Sequence, residues 1–581
     1  MRRSTLLFAG IITAGCARLS PSTGPASPDR APLAYSPSQP GERELLPDEQ
    51  VQQVLNRLAF GARPGDAAKV RAIGVDQWIQ SQLYPQSISD GTTDQLLARY
   101  PTLTTPTEEL VKTFQIVQQT RKQQQQQPPR GDSMVARRDA LVAATGGDPK
   151  MLQAVQETQR AVPELQSALL TRAVVSERQL DEVMVDFWEN HFSVFANKGP
   201  QERLYLTEYD RDVIRPRALG KFRDLLGAVA HSSAMLFYLD NWESQADSLH
   251  PTLGRARGGS VGRGRAILPP PLAARQRKGL NENYARELME LHTLGVDGGY
   301  TQTDVIEVAR ALTGWSIAVG QGGQFIFRPE AHDAGAKTVL GHKLAAGRGE
   351  EDGEQVLDIL ARDPHTARFI ATKLVRHFVA DSAPPALVAR AAEVFRQTDG
   401  DIRQVMATIV SSPEFYRRAT FRSKVKTPYE LVASLYRVMH ALPDTTARSI
   451  QLAAQLGQPI FGHLTPEGWP DLAEEWMNTG AVLARINFGS SVATGRVPNL
   501  PVTRWPFDPS LRTAPLAEQV NVIGSTLLLG AMSPDTHDVL MSGVNPIAAR
   551  SGGADAMPAM GRPSFTELVG LAIGSPEFQR R

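Results

Sequence analysis

Apolar residues recur at helical spacing through most of this chain, and this periodicity is the feature that most limits its fold. Val51, Leu55 and Leu58 begin the pattern, after which Pro64 marks a helix start and Gly74 a helix end. Further helical segments follow between residues 353 and 440, each opening with a Pro, Asp or Gly signal. The sequence therefore predicts a mainly α protein with a large multi-helix body.

The period changes around residues 316–345. Glycines there separate two short β-prone runs, "QFIF" and "KTVLG". Short runs of this kind between turn-forming residues are typical of hairpins. We expect a small irregular or β-hairpin lobe at this point in the otherwise helical body.

Residues 1–16, "MRRSTLLFAGIITAGC", have the composition of an export signal with a lipobox-like end. Arg2 and Arg3 precede a short apolar stretch, and "TAGC" resembles the lipobox of bacterial lipoproteins, which predicts lipidation at Cys16. Ordinary signal cleavage beside an incidental cysteine is the alternative. We expect an exported protein in the periplasm or outer membrane, held to the membrane only through the lipid on Cys16.

Cys16 is the only cysteine of the chain. An intramolecular disulfide framework and a zinc site of several thiolates are therefore excluded.

The remaining sequence divides into three parts. Residues 17–45 are rich in Pro and Ser and predict a disordered tether, because they hold too few large apolar residues to bury. Residues 46–490 form the predicted helical body, and residues 491–581 a C-terminal helical extension continuous with it.

The charges of the chain nearly cancel. Sixty-two Lys and Arg residues against 61 Asp and Glu residues give a net charge of +1, which provides no global attraction for nucleic acid or anionic membrane. The Arg/Gly-rich insertion at residues 254–281 is interpreted as a solvated segment, and no specific nucleic-acid partner is expected.

The segment "NENYARELMELHTLGV" (residues 281–296) is the first candidate for chemistry. At 100° per residue, Asn283, Arg286, Glu287 and Glu290 share its polar side, while His292 lies at the edge of the apolar side. A surface helix explains these residues through opposite charges four residues apart, each pair worth about 0.2–0.5 kcal/mol.

In a functional interpretation, the same polar side of the helix faces a cleft. Glu287 and Glu290 would then act in acid–base catalysis, with Asn283 and Arg286 binding substrate. Alternatively Glu287, Glu290 and His292 could hold a divalent metal, although the Glu-x-x-Glu-x-His spacing departs from that of di-iron bundles.

Two further segments combine histidine with carboxylate or amide groups. "DFWENHF" contains Asn190, a candidate substrate-binding residue, and His191, which is either a hydrogen-bonded core residue or a catalytic group. "PEAHDAG" contains His332 and Asp333, which could serve as base and orienting group or could only stabilise a turn. We expect the three segments to meet in one polar centre.

Several blocks in series resemble a known family. They include "VLNRLAFGARPGDAAKVRAIGVDQWI", "MVDFWENHFSV", "RPRALGKFRDLLGAVAHSSAMLFYLDN" and "GQPIFGHLTPEGWPD". Together with the candidate segments they resemble the bacterial domain of unknown function 1800 family over residues 50–490. The resemblance implies a large, mostly helical exported protein, often encoded beside a second exported family akin to phosphatases and sulfatases, which is a candidate partner.

The sequence excludes several known chemistries and leaves two functions open. It lacks a Gly-x-Ser-x-Gly elbow, a His-Glu-x-x-His zinc motif, a phosphate-binding Gly-x-x-x-x-Gly-Lys loop and a haem-attachment motif. The first hypothesis is a cell-envelope enzyme, acid–base or metal-assisted and hydrolytic, that uses a Glu/His cluster. The alternative is a non-catalytic, lipid-anchored helical scaffold that binds a partner exported protein.

Overall fold

The computed structural model describes most of the chain. The described residues are 35–125, 149–247, 250–253, 279–319, 321–500, 502, 509–542 and 563–581. Cys16, the export signal, most of the tether and most of the Arg/Gly-rich insertion lie outside them. From Tyr35 onwards the chain forms one compact unit.

Helices dominate this unit, as the periodicity predicts. The N-terminal half contains α1 (Pro47–Arg57), α2 (Asp66–Ile73), α3 (Val75–Leu83), α4 (Gly91–Leu97), α5 (Thr107–Gln125), α6 (Pro149–Val175), α7 (Gln179–His191), α8 (Glu202–Glu208), α9 (Phe222–His231), α10 (Ser233–Tyr238), α11 (Glu282–Met289) and α12 (Gln302–Ala311).

The C-terminal half continues in the same way after a short β segment. Its helices are α13 (Glu351–Arg362), α14 (Pro364–Phe378), α15 (Pro385–Gln397), α16 (Ile402–Val410), α17 (Pro428–Val438), α18 (Arg448–Gln455), α19 (Thr479–Ala493), α20 (Leu516–Leu527), α21 (Pro534–Ser542), α22 (Phe565–Gly574) and α23 (Pro576–Gln579).

The predicted β lobe is confirmed as two small antiparallel sheets. Strand β1 (Trp315–Ile317) pairs with β2 (Phe325–Phe327), and β3 (Lys337–Val339) pairs with β4 (His342–Leu344). "QFIF" and "KTVLG" thus each supply a strand. The lobe joins α12 to α13 and brings the "PEAHDAG" loop between its two sheets.

Side-chain caps fix where the helices around the candidate segments begin. The Asn281 side chain accepts the Tyr284 N–H at 3.0 Å and so caps the start of α11. The apolar spacing alone places the cap of α12 at Thr303 or Asp304. The cap is Thr301 instead, because Asp304 returns a hydrogen bond to Thr301 and completes a capping box.

The centre of the core is α17. All residues of this helix are buried, and it packs against α6 and α18. Because α17 is enclosed on every side, its neighbours must turn their own apolar sides towards it. None of the helices in the described ranges has the length and hydropathy that crossing a bilayer requires.

Candidate functional site

The "NENYARELMELHTLGV" segment does not remain a regular α-helix to its end. After Met289 the chain makes a π-helical turn, Glu290–Leu294, in which the Thr293 hydroxyl donates to the Leu288 carbonyl at 2.7 Å. This wider turn rotates His292 inwards, where it is 1% exposed. The 100° construction therefore describes the first part of the segment, and the π turn carries His292 from the edge of the apolar side into the core.

The carboxylates of this segment stay on its half-exposed side. Tyr300 donates to Glu290 at 3.0 Å, whereas Glu287 accepts no hydrogen bond from the described residues. Burial and the charges of Glu290 and Glu467 raise the pKa of Glu287. Glu287, Glu290 and His292 do not bring their ligand atoms together as a metal-binding group.

The two candidate substrate-binding residues of this segment differ in their surroundings. Asn283 is exposed and makes no contact that would orient it. Arg286 donates to Gln302 at 2.7 Å, and Gln302 in turn donates to Glu282. Arg286 is thus held by a surface network with α12.

The first two candidate segments meet through their histidines. The His191 Nε2 atom lies 3.2 Å from the carbonyl oxygen of His292, and their ring centroids are 6.4 Å apart. Burial lowers the pKa of both imidazoles, that of His292 to about 3, so both rings are neutral. Phe192 and Phe369 surround them, which makes this meeting point an aromatic, water-excluded part of the core.

The third segment forms a separate buried ion-pair network. Arg310 donates to Asp333 through Nε at 2.8 Å and through Nη2 at 3.2 Å. Lys337 donates to the Asp333 carbonyl and to the Asp352 carboxylate, each at 2.7 Å. His332 lies beside Asp352 at 3.5 Å, and neither His332 nor Asp333 is exposed. Among the described residues, no hydrogen bond links this network to the other two segments.

A cleft lies along another side of α7, and we call it the α7 cleft. About 70 Å³ of its interior is accessible to water-sized molecules. Its charged, polar and aromatic lining includes Asp186, Glu189, Asn190, His377, Lys424, His463, Trp469, Trp476 and Arg581. These side chains come from α7, α14, the segment before α17, the loop after α18 and the C-terminal segment.

Two carboxyl groups of α7 face this cleft, one turn apart. The Asp186 carboxyl is half-buried and accepts no hydrogen bond from the described residues. Burial, together with the charge of Glu430, raises its pKa to about 7. Burial and the neighbouring Asp210 raise the pKa of Glu189 well above its usual range, and Glu189 Oε1 is buried without a hydrogen-bond partner. Burial and Asp210 thus favour the protonated form of Glu189, whereas Asp186 titrates near neutral pH.

The basic groups of the cleft come from segments far away in the sequence. The Lys424 ammonium pairs with Asp381 and donates to the Asp471 carbonyl at 3.2 Å. Burial, aided by the charge of Arg581, lowers the pKa of Lys424 to about 8. Arg581 pairs with Glu430 at 2.7 Å and donates to the His377 carbonyl at 3.3 Å. Asp186 and Lys424 thus offer proton-exchanging groups with pKa values near neutrality in one cleft.

The loop after α18 covers part of the cleft and is fixed by Asn190. The Asn190 amide donates to the Trp469 carbonyl at 2.9 Å, and the Trp469 N–H donates to Asn190 Oδ1 at 2.7 Å. Gly468 has φ +75°, and a Cβ atom there would lie 2.2 Å from the Asn190 carbonyl oxygen. Asn190, predicted to bind substrate, here has both ends of its amide engaged with the loop.

Sequence reasoning did not single out most of the cleft. Asp186, Glu189 and Asn190 follow one another at positions i, i+3 and i+4, which places them on one side of a helix, and this spacing was the available signal. Lys424, His377 and Arg581 carry no local signal, because only the folded chain brings them to α7.

Comparison with known proteins gives one match. A sequence model of the family described as "Protein of unknown function (DUF1800)" matches residues 53–580. Neither the curated proteins nor the solved structures contain a match. The family match continues past residue 490, where the recognisable blocks end, and so includes Gln579 and Arg580, which pair with the segment before α17.

Proposed function

The chain belongs to the DUF1800 family, whose function is unknown, and from this premise we propose that it is an acid–base enzyme with the α7 cleft as its active site. The observation that carries the proposal is the Asp186 carboxyl. It lines a cleft, has no hydrogen-bond partner among the described residues and has a pKa of about 7. A carboxyl group that can both give and take a proton at neutral pH suits general acid–base catalysis.

The neighbouring groups have separate roles in this proposal. Because burial and Asp210 raise the pKa of Glu189 and favour its uncharged form, Glu189 opposes the ionisation of Asp186 less than a carboxylate would during a reaction cycle. Lys424 places a positive charge in the cleft, where it can stabilise negative charge that develops on a substrate oxygen. Asn190 positions the covering loop rather than contacting substrate.

The proposed reaction is hydrolysis of a polymer outside the cytoplasm. Trp469 and Trp476 line the cleft with their rings 6.0 Å apart, and such aromatic surfaces can support sugar rings or other planar groups. Export, and attachment to the membrane through Cys16, are part of this proposal. They rest on the N-terminal sequence pattern alone.

The test uses Asp186→Asn with Asp181→Asn as its matched control. Asp181 lies on the same helix, and burial raises its pKa to about 6, but it does not line the cleft. The parent and both variants are assayed against polysaccharides, peptides and esters at several pH values. We expect hydrolysis whose pH profile has a titration near 7, loss of at least about 100-fold in Asp186→Asn, and retention in Asp181→Asn. Equal activity in the parent and Asp186→Asn would remove Asp186 from the mechanism.

The scaffold function has one specific observation in its favour. Asp333 and Asp352 are fully buried and paired with Arg310 and Lys337, which is the arrangement expected of structural ion pairs. A scaffold would bind an exported partner, for which the phosphatase- and sulfatase-like neighbour family is the candidate. Absence of hydrolysis across the whole panel, with stable binding of that partner, would favour this function.

A further inference from the structure

Three potential metal ligands come together on a surface away from the α7 cleft. His231 is the last residue of α9, Glu354 lies in the first turn of α13, and Glu350 immediately precedes that helix. The His231 Nε2 atom lies 3.0 Å from Glu354 Oε1 and 3.9 Å from Glu350 Oε1. All three ligand atoms lie within 4.8 Å of one another, close enough to share one ion with bonds of about 2.0–2.2 Å.

The other ring nitrogen of His231 is held in the way that metal-binding histidines usually are. The Nδ1 atom lies 2.8 Å from the Gly227 carbonyl oxygen, one turn earlier in α9. A carbonyl can only accept, so Nδ1 carries a hydrogen, and Nε2, which faces Glu354, is the nitrogen that can bind an ion once it holds no hydrogen. This second contact fixes both the tautomer and the ring orientation.

Arg223 orients one of the carboxylates. It donates to Glu354 Oε2 at 2.6 Å and to Asp358 at 2.6 Å, so that Glu354 Oε1 is directed towards His231. A carboxylate with one oxygen held by a guanidinium and the other on an ion is a common outer-sphere arrangement. Glu350 has no such restraint and can move by the small amount that closing around an ion requires.

The β lobe supplies a rigid wall beside the ligands. The Trp315 ring lies 4.4 Å from the His231 ring, and the Phe325 ring lies 4.5 Å from it on another side. Gly353 lets α13 approach this wall, because a Cβ atom there would lie 2.2 Å from the Trp315 ring. His231 is therefore prevented from rotating away from the two carboxylates.

We propose that His231, Glu350 and Glu354 form a binding site for a divalent transition-metal ion. One imidazole and two carboxylates suit Zn²⁺ or Mn²⁺ better than Mg²⁺, which prefers oxygen ligands and water. The three side chains are 29%, 43% and 40% exposed, so the ion would keep positions open to solvent. Three protein ligands with an open position are typical of metal sites that bind water or a substrate oxygen.

The test measures metal binding by the full chain, purified without a polyhistidine tag. Zn²⁺ binding is followed by calorimetry with metal analysis of the dialysed protein, and Co²⁺ is used as a spectroscopic probe. We expect one equivalent of Zn²⁺ and a Co²⁺ visible absorption band in the parent. His231→Gln and Glu350→Gln should each weaken Zn²⁺ binding by more than about tenfold, the loss seen even for outer-sphere partners, and should abolish the band.

His342→Gln is the matched control, since His342 is exposed on β4 and belongs to no such group. Asp186→Asn separates this proposal from the acid–base proposal, because it should leave Zn²⁺ binding unchanged. Glu350→Gln protects the test against misfolding, since Glu350 is only half-buried and its side chain makes no hydrogen bond with the described residues. Unchanged Zn²⁺ binding in both ligand variants, or no binding by the parent, would overturn the proposal.

Discussion

Asn190 and Trp469 are joined by two hydrogen bonds, in which the side-chain amide of Asn190 pairs with both backbone groups of Trp469. The Asn190 side chain thus makes the two hydrogen bonds that the backbone of a neighbouring strand would make, and it makes them with a residue 279 positions further along the sequence. The loop that covers the α7 cleft depends on this amide for its position.

Asn190→Ala should therefore release the loop. The backbone N–H and the carbonyl of Trp469 would each lose a partly buried hydrogen-bond partner, which should lower the free energy of unfolding by about 1–3 kcal/mol. Hydrogen exchange at the Trp469 amide should accelerate along with this loss. Asn283→Ala, at an exposed position without contacts, should change the free energy of unfolding by no more than about 0.5 kcal/mol. An unchanged exchange rate in Asn190→Ala would show that other contacts hold the loop.

The Asp186 carboxyl predicts a pH-dependent gain of stability when it is removed. Its pKa rises from 3.8 to about 7 on folding. Between these values the folded chain holds a proton that the unfolded chain has released, so the stability contribution of Asp186 falls as pH rises through this window. Asp186→Asn should be close to neutral at pH 4 and stabilising by roughly 2–4 kcal/mol at pH 8.

Urea denaturation of the parent and Asp186→Asn at pH 4, 6 and 8 measures this difference. If Asp186→Asn is more stable than the parent at pH 8, the protein retains Asp186 at a cost to its stability, as is often true of active-site groups. If the variant is less stable at pH 8, Asp186 has an ionised partner in solution and does not titrate near neutrality.

Asp333→Asn should be among the more damaging single substitutions. It removes the carboxylate that Arg310 Nε and Nη2 contact, so that the buried guanidinium keeps only Glu307, and it takes a negative charge away from Lys337. The loss should be about 3 kcal/mol. Asp399→Asn is the comparison, since Asp399 and Arg362 form an exposed pair worth no more than about 1 kcal/mol. Chemical denaturation at pH 7 compares the two. Similar losses would mean that the buried network is not a unit.

Gly468→Ala tests the close approach of the covering loop to α7. Both the positive φ and the 2.2 Å approach to the Asn190 carbonyl oppose a methyl group, so the loss of stability should exceed the roughly 1–3 kcal/mol of backbone strain alone. Gly457→Ala isolates the strain, because Gly457 has φ +104° with no atom near its Cβ position. Thermal unfolding of both variants gives the comparison, and equal losses would mean that the loop shifts freely.

The fold was more predictable than the site, for a physical reason that particular residues show. Helix starts depend on local hydrogen bonds, so Asn281 could be recognised as a cap, and the β runs of the lobe depend on local spacing. The π turn at Glu290–Leu294, which buries His292, could not be predicted, because such a turn depends on packing beyond the segment. The presence of Asp186 and Lys424 in one cleft could not be predicted. The two residues lie far apart in the sequence, and only the packing of helices around α17 brings them together.

Residues 579–581 pair with the segment before α17, and this pairing determines at what stage of synthesis the cleft can form. The Lys426 N–H donates to the Gln579 carbonyl at 2.9 Å, and the backbones of Lys424 and Arg581 exchange two hydrogen bonds. While a ribosome is still adding these residues, α7 and the loop after α18 are already synthesised, but one wall between them is missing. Contacts so distant in sequence form slowly and late. The cleft therefore cannot be completed before residues 579–581 have been added, and a chain truncated ahead of them would lack this wall.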